Sequence, residues 1–82
     1  DIIARNNDTY IFIEVKARKR PKFAMSTTVT PSKQRKIIMT AQQYIHKHNL
    51  SGYNVRFDLA LVSGDHIASY ITAAFTAEDT TL

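Results

Sequence analysis

Thr9-Tyr10-Ile11-Phe12-Ile13-Glu14-Val15-Lys16-Ala17 is the most strand-like run of this 82-residue chain, and its reading decides the fold. Side chains alternate along a strand, so Tyr10, Phe12, Glu14 and Lys16 share one face and Ile11, Ile13, Val15 and Ala17 the other. Glu14 and Lys16 therefore point the same way, inside a run that is otherwise apolar on both faces. A charge removed from water is costly unless it is paired or holds a metal. The placement calls for an ion-pair partner or a cation.

Working outward, Asp1 to Arg5 reads as a short strand and Asn6-Asn7-Asp8 as the turn into Thr9–Ala17, a β-hairpin. With Asn7-Asp8 as a two-residue loop, partners across the hairpin have numbers summing to fifteen. Asp1 then faces Glu14 with Cβ atoms roughly 5 Å apart, and two opposed carboxylates favour a bound cation between them. Arg18 to Thr30 is basic, then rich in Ser and Thr, and reads as a mobile loop. Thr30-Pro31 is a helix start, a capping hydroxyl followed by proline at the first helical position. The helix is expected to run to about His48 with Ile37, Ile38, Ala41, Tyr44, Ile45 and His48 as its buried stripe. Gln34 also falls on that stripe, where an amide needs a partner.

Leu50-Ser51-Gly52 is read as closing the helix. Asn54 to Val62 is a second strong strand, with Val55, Phe57, Leu59 and Leu61 on one face and Arg56, Asp58, Ala60 and Val62 on the other. A turn at Ser63-Gly64-Asp65 leads into a short last strand, His66 to Ile71, and the residues after Phe75 read as a frayed tail. The order strand, strand, helix, strand, strand predicts an α/β domain, residues 1–82, with the helix crossing one face of a small mixed sheet.

Composition narrows the functional classes. The absence of cysteine excludes disulfides and thiolate metal sites, so any metal is held by oxygen or histidine. His46 and His48 are two apart and lack the i,i+4 spacing of a helical zinc pair. Glycine occurs only at Gly52 and Gly64, too sparse for a phosphate-binding loop, and no Ser/His/acid spacing suggests a triad. The chain has no apolar run approaching the roughly 18 residues of a membrane span, and the expectation is a soluble, cytoplasmic protein without membrane contact. Of the eleven Lys and Arg, eight lie between Lys16 and Lys36, and no acid occurs between Glu14 and Asp58. Such a local positive field beside a carboxylate is either a solvated surface or a polyanion site. On the second reading Arg18, Lys19, Arg20, Lys22, Lys33, Arg35 and Lys36 contact nucleic-acid phosphates, with DNA the expected partner, and affinity falls steeply with salt.

An acid on one strand followed by Glu-x-Lys on the next suits metal-dependent phosphodiester hydrolysis. Carboxylates hold a divalent cation through hard oxygen ligands, and the lysine supplies fixed positive charge for the developing phosphorane. Spacing of this kind also arises from a plain same-face ion pair. Arg56 and Asp58, neighbours on one strand face, read as such a structural pair, and Tyr53 and Tyr70 as packing residues before base-stacking ones.

Taken together, Asp1-Ile2-Ile3-Ala4-Arg5, Ile11-Phe12-Ile13-Glu14-Val15-Lys16-Ala17-Arg18, Val29-Thr30-Pro31-Ser32-Lys33-Gln34-Arg35-Lys36, Arg56-Phe57-Asp58 and Ile71-Thr72-Ala73-Ala74-Phe75 resemble the YraN-type endonuclease-like family. That family belongs with the restriction-endonuclease-like PD-(D/E)xK nucleases. The resemblance implies a restriction-endonuclease-like core, with Asp1, Glu14 and the main-chain carbonyl of Val15 as ligands for Mg2+ or Mn2+. Lys16 becomes the catalytic lysine and Gln34 a further residue of the catalytic site on the following helix. Family members carry an N-terminal helix and a Gly-Glu-Ile-Asp segment, whereas this chain begins at the Asp. The core is thus expected to lack that helix, which leaves inactivity of this piece or pairing into a homodimer open. Three functions compete at this point: a divalent-metal-dependent nuclease, a non-catalytic basic nucleic-acid-binding module of the same fold, and a protein-interaction domain.

Overall fold

A computed structural model describes residues 2–17 and 29–77. Its elements are β1 (Ile2–Asn6), β2 (Thr9–Ala17), α1 (Pro31–Lys47), β3 (Asn54–Ser63) and β4 (His66–Phe75). They form one four-stranded sheet in the order β1-β2-β3-β4. β1 and β2 are antiparallel, β2 and β3 parallel, β3 and β4 antiparallel. A parallel neighbour cannot be reached by a tight turn, and α1 is the crossover that joins β2 to β3. The expected small mixed α/β sheet with one helix is therefore observed. Among the described residues no helix is long and apolar enough to cross a membrane.

The hairpin register agrees with the sum-of-fifteen expectation: Ile2 pairs with Ile13, Ile3 with Phe12 and Asn6 with Thr9. Its two-residue loop places Asn7 at φ 58°. Asparagine tolerates this left-handed region better than other non-glycine residues, so an Asn-rich turn suits this loop. Asp1, which the same register would set opposite Glu14, lies outside the described residues.

α1 begins as its sequence predicts. The Thr30 hydroxyl accepts from the Lys33 amide at 3.2 Å, and Pro31 follows in the first turn. Thr30→Ala should cost about 1 kcal/mol, a fall in melting temperature of about 4–8 °C for a domain of this size. Thermal unfolding followed by circular dichroism checks it; an unchanged midpoint would leave the cap without energetic weight. The end of α1 corrects the sequence reading. Asn49, at φ 57°, turns the chain, with the Leu50 amide donating to the Ile45 carbonyl at 2.9 Å and the Asn49 amide to the His46 carbonyl at 3.2 Å. That is a Schellman closure with asparagine in the usual glycine place, ahead of Gly52.

The core lies between α1 and one sheet face, where Ile38 and Ala41 meet Phe12, Phe57, Leu59, Leu61 and Phe75. Ile38 and Leu59 retain 1% exposure each, and burying a side chain of that size contributes about 1.5–3 kcal/mol. Rings line the floor: Phe12 lies 5.9 Å from Phe57, and Phe57 stacks 5.1 Å from Phe75. Ile37, Tyr44 and Ile45 pack at the rim as expected, but His48 is exposed and only lays its ring on Tyr44, 4.3 Å away. Val55, at the outer end of the face it shares with Phe57, Leu59 and Leu61, is 40% exposed.

β4 is longer than the predicted His66–Ile71, running to Phe75. The reason is a bulge. Leu59 pairs with Ile71 and Phe57 with Phe75, so two steps on β3 are matched by four on β4. Ala73 sits in that bulge at φ 54°, a conformation costly for a residue with a Cβ unless its surroundings impose it. What imposes it is Asp58. The Ala73 amide donates to Asp58 Oδ1 at 2.9 Å, Tyr70 donates its hydroxyl proton to Oδ2 at 2.6 Å, and Arg56 grips both oxygens at 2.9 and 2.8 Å. Asp58 is fully buried, and its expected pairing with Arg56 is one part of a larger cluster. Burial alone would raise its pKa. Hydrogen bonds from Arg56, Tyr70 and the Ala73 amide, with the charge of Arg56, outweigh that and hold it below the usual carboxylate range.

Candidate active site and nucleic-acid interface

Glu14 and Lys16 occupy the last turns of side-chain alternation in β2, on the face that α1 covers. In open α/β sheets, ligand sites form outside the carboxyl ends of parallel strands, where the next helix begins. Here the carboxyl end of β2 meets the start of α1. Glu14, Lys16, Val29, Thr30 and Lys33 line one cleft of about 220 Å³. A second cleft of about 360 Å³ adjoins it between β1 and α1, with Glu14 and Lys33 in both walls.

The Glu14 side chain is 13% exposed, and its Oε2 lies 3.5 Å from Nζ of Lys33, which is 53% exposed. The carboxylate placed inside an apolar run thus has a cationic partner from the helix start. Sequence reading assigned Lys33 to phosphate contact and missed this pairing. The available signal was the crossover itself, which returns the first turn of α1 to the end of β2. A pair with one half-exposed partner contributes about 0.2–1 kcal/mol, too little to explain the burial by stability alone.

Gln34 is half-buried and donates from Nε2 to the Val29 carbonyl at 2.7 Å. Its amide holds the segment entering the helix, and Val29 rather than Gln34 lines the cleft. Arg35 and Lys36 lie on the exposed surface of α1. Lys36 borders the second cleft. Asp1, Arg18, Lys19, Arg20 and Lys22 lie outside the described residues. The helix itself carries no acid: Arg35, Lys36 and Lys47 add exposed positive charge to it, beside Lys33, which pairs with Glu14 of β2.

The donor chemistry on hand is hard oxygen. Mg2+ commonly takes one or two carboxylates and fills its other positions with waters and substrate phosphates. Glu14 and the neighbouring Val15 carbonyl suit that pattern, although the described residues contain no group of three or more His, Cys, Asp or Glu side chains placed to hold a metal. Another cavity, about 680 Å³, lies on the other flank of α1 among Ile38, Ala41, Ile45, Val55 and Phe75. It includes neither Glu14 nor Lys16, and its walls are mostly apolar, with Gln42, His46, Ser51, Arg56 and Thr76 as their polar members.

Comparison with known proteins places this chain in a family. The model of a family described as Uncharacterised protein family UPF0102 matches residues 1–62. A UPF0102 protein of Syntrophus aciditrophicus is 42% identical over 64 residues, covering 77% of this chain and 50% of that protein. One of Francisella tularensis subsp. tularensis is 43% identical over 77 residues, covering 92% of this chain and 65% of that protein. One of Sulfurihydrogenibium is 37% identical over 79 residues, covering 95% and 68%. The chain spans about half to two thirds of the length of such relatives. With three quarters of its residues under the family model and relatives above 40% identity over 77% and 92% of its length, the chain belongs to the UPF0102 family.

Proposed function

We propose that this chain is the core of a divalent-metal-dependent endonuclease of the restriction-endonuclease-like PD-(D/E)xK type, hydrolysing nucleic-acid phosphodiester bonds, with DNA the expected substrate. The observation that carries the reading is the half-buried Glu14, on one strand face with Lys16 and 3.5 Å from Lys33, at the mouth of a cleft beside an acid-free helix. Stability does not explain that arrangement, and phosphate chemistry does.

In this reading Glu14, the Val15 carbonyl and Asp1 hold Mg2+, which when bound polarises the scissile phosphate and lowers the pKa of the attacking water. Lys16 contributes positive charge where the phosphorane develops. Lys33 attracts the incoming phosphate and, with no substrate present, neutralises Glu14. Gln34 keeps Val29 and the helix entry in place. Arg18, Lys19, Arg20, Lys22, Arg35 and Lys36 hold the flanking backbone.

A second reading, a nucleic-acid-binding module without turnover, draws on one observation: the cation already at Glu14 is a lysine. A single assay separates the two. Magnesium-dependent cleavage of labelled DNA by the intact protein, lost in Lys16→Ala while DNA binding persists, supports the nuclease. Salt-sensitive binding by both proteins with cleavage by neither supports the module.

A further inference from the structure

The Glu14 cleft does not end at β1. One helical row of α1 (Lys33, Ile37, Thr40, Tyr44, then His48 at the cap) faces the β1 edge, because residues three and four apart stack on one side of a helix. On the sheet, register places Ile3 beside Phe12 and Arg5 beside Tyr10, on the face that carries Glu14. Between these walls runs the cleft that holds Glu14, Ile3, Phe12, Lys36 and Thr40. Continuing along it, the helix row leads to the rings of Tyr44, Tyr10 and Tyr53. Tyr10 lies 6.4 Å from Tyr44 and 5.0 Å from Tyr53. From Lys33 to His48 this helix row, whose first half lines the cleft, measures about 22 Å at the helical rise.

Its far end presents two exposed planar groups, each backed by tyrosine. The Arg5 guanidinium lies 4.9 Å from the Tyr53 ring centre and 5.8 Å from that of Tyr10, steadied by Nε donating to the Asn7 carbonyl at 2.9 Å. The His48 imidazole lies over Tyr44 at 4.3 Å. Packing on a ring from beneath fixes the plane and leaves its outer face to solvent. Charge along this face is positive at Lys33, Lys36 and Arg5, with Glu14 at one end and Asp8 in the hairpin turn beside the other.

We infer that this groove binds a single-stranded polynucleotide, its backbone along Lys33 and Lys36 and its bases stacked on His48 and Arg5, so that a phosphate arrives at Glu14. The inference rests on the nucleic-acid reading above and names its substrate class. Basic charge interleaved with aromatic and guanidinium planes is the chemistry of single-strand recognition, and each stacked base contributes about 1–3 kcal/mol. A base inside a duplex offers no open face to such planes. That decides between the two forms of substrate.

The test uses the intact protein without metal, so that binding is read apart from cleavage. Fluorescence anisotropy compares an oligothymidylate of about ten nucleotides, within the usual site sizes, with a hairpin duplex of equal charge. The double variant Arg5→Gln, His48→Ala should weaken single-strand binding at least about ten-fold, as the loss of one or two stacked bases requires, and change duplex binding less than about two-fold. An equal loss on both ligands, or no loss on either, overturns the inference. Because a variant can perturb folding, the unmodified protein supplies an independent reading. A stacked base shifts the His48 ring-proton resonances upfield on addition of the oligonucleotide. Unshifted His48 resonances at saturation overturn it, as does a groove closed by a protein segment that excludes the oligonucleotide. Cleavage is measured separately in magnesium. Single-strand binding without cleavage keeps this inference and removes the nuclease, and cleavage by a protein that fails the binding test does the reverse.

Discussion

Asp58→Ala is expected to remove about 2–3 kcal/mol of stability, the upper part of the range for donors left without a buried acceptor, since Arg56 and Tyr70 stay partly exposed and can be rehydrated. A small domain has about 5–15 kcal/mol in total, so the variant should melt on the order of 10–20 °C lower. Four hydrogen bonds end on this one carboxylate, and its loss strands the Arg56 guanidinium, the Tyr70 hydroxyl and the Ala73 amide together. Asp58→Asn, which keeps the shape without the charge, should lie between. The pH dependence has a definite sign. A carboxyl whose folded pKa is depressed contributes fully above its unfolded value of about 3.9 and loses that contribution as pH falls through the folded value. Acid unfolding of the native protein should therefore carry a component below about pH 4 that Asp58→Asn lacks. Thermal melts across acid pH measure both effects. A loss under about 1 kcal/mol would reduce the cluster to ordinary surface pairing.

Glu14→Gln should behave in the opposite way. Volume and polarity are nearly kept and the lost partner, Lys33, is half-exposed, so stability should change by less than about 1 kcal/mol. Cleavage should fall by about 10²–10³-fold or more, as when a group stabilising transition-state charge is removed. Calorimetric titration with Mn2+ should lose its heat of binding. Equal heats and equal turnover in the two proteins would take Glu14 out of the site. If both results hold, Asp58 serves stability and Glu14 cleavage, and one melting curve with one activity assay tells them apart.

How much of this was legible in the sequence follows from the range of the forces involved. The hairpin register could be read because a two-residue Asn-Asp loop sets it locally, and the start of α1 because Thr30-Pro31 is a local signal. Periodicity identified Ile38, Ala41, Leu59 and Phe57 as core. It failed at His48, the exposed C-cap residue of α1, whose ring meets Tyr44. The last strand was drawn too short because its extension depends on a contact fifteen residues away: without Asp58 nothing in Thr72-Ala73-Ala74 announces a bulge. Glu14 and Lys16 stood out as charges misplaced in an apolar run. That Lys33 answers Glu14, and that Gln34 spends an amide proton on Val29, required the crossover geometry that brings α1 over β2.

The bulge of β4 also bears on the fate of the protein in a crowded solution. β4 lies at the margin of the sheet and carries Ile67 and Tyr70 exposed at 61% and 43%. A margin of that kind is a template on which a further strand can grow, toward fibrils as readily as toward any wanted partner. Two register shifts break this one, between Phe57 and Leu59 and between Leu61 and Val62, and Asp58 draws the Ala73 amide inward. An incoming strand finds only short unbroken lengths of main chain to copy. Release of Ala73 would restore the template, so variants at Asp58 that still fold should leave solution as ordered aggregates sooner than their melting points foretell.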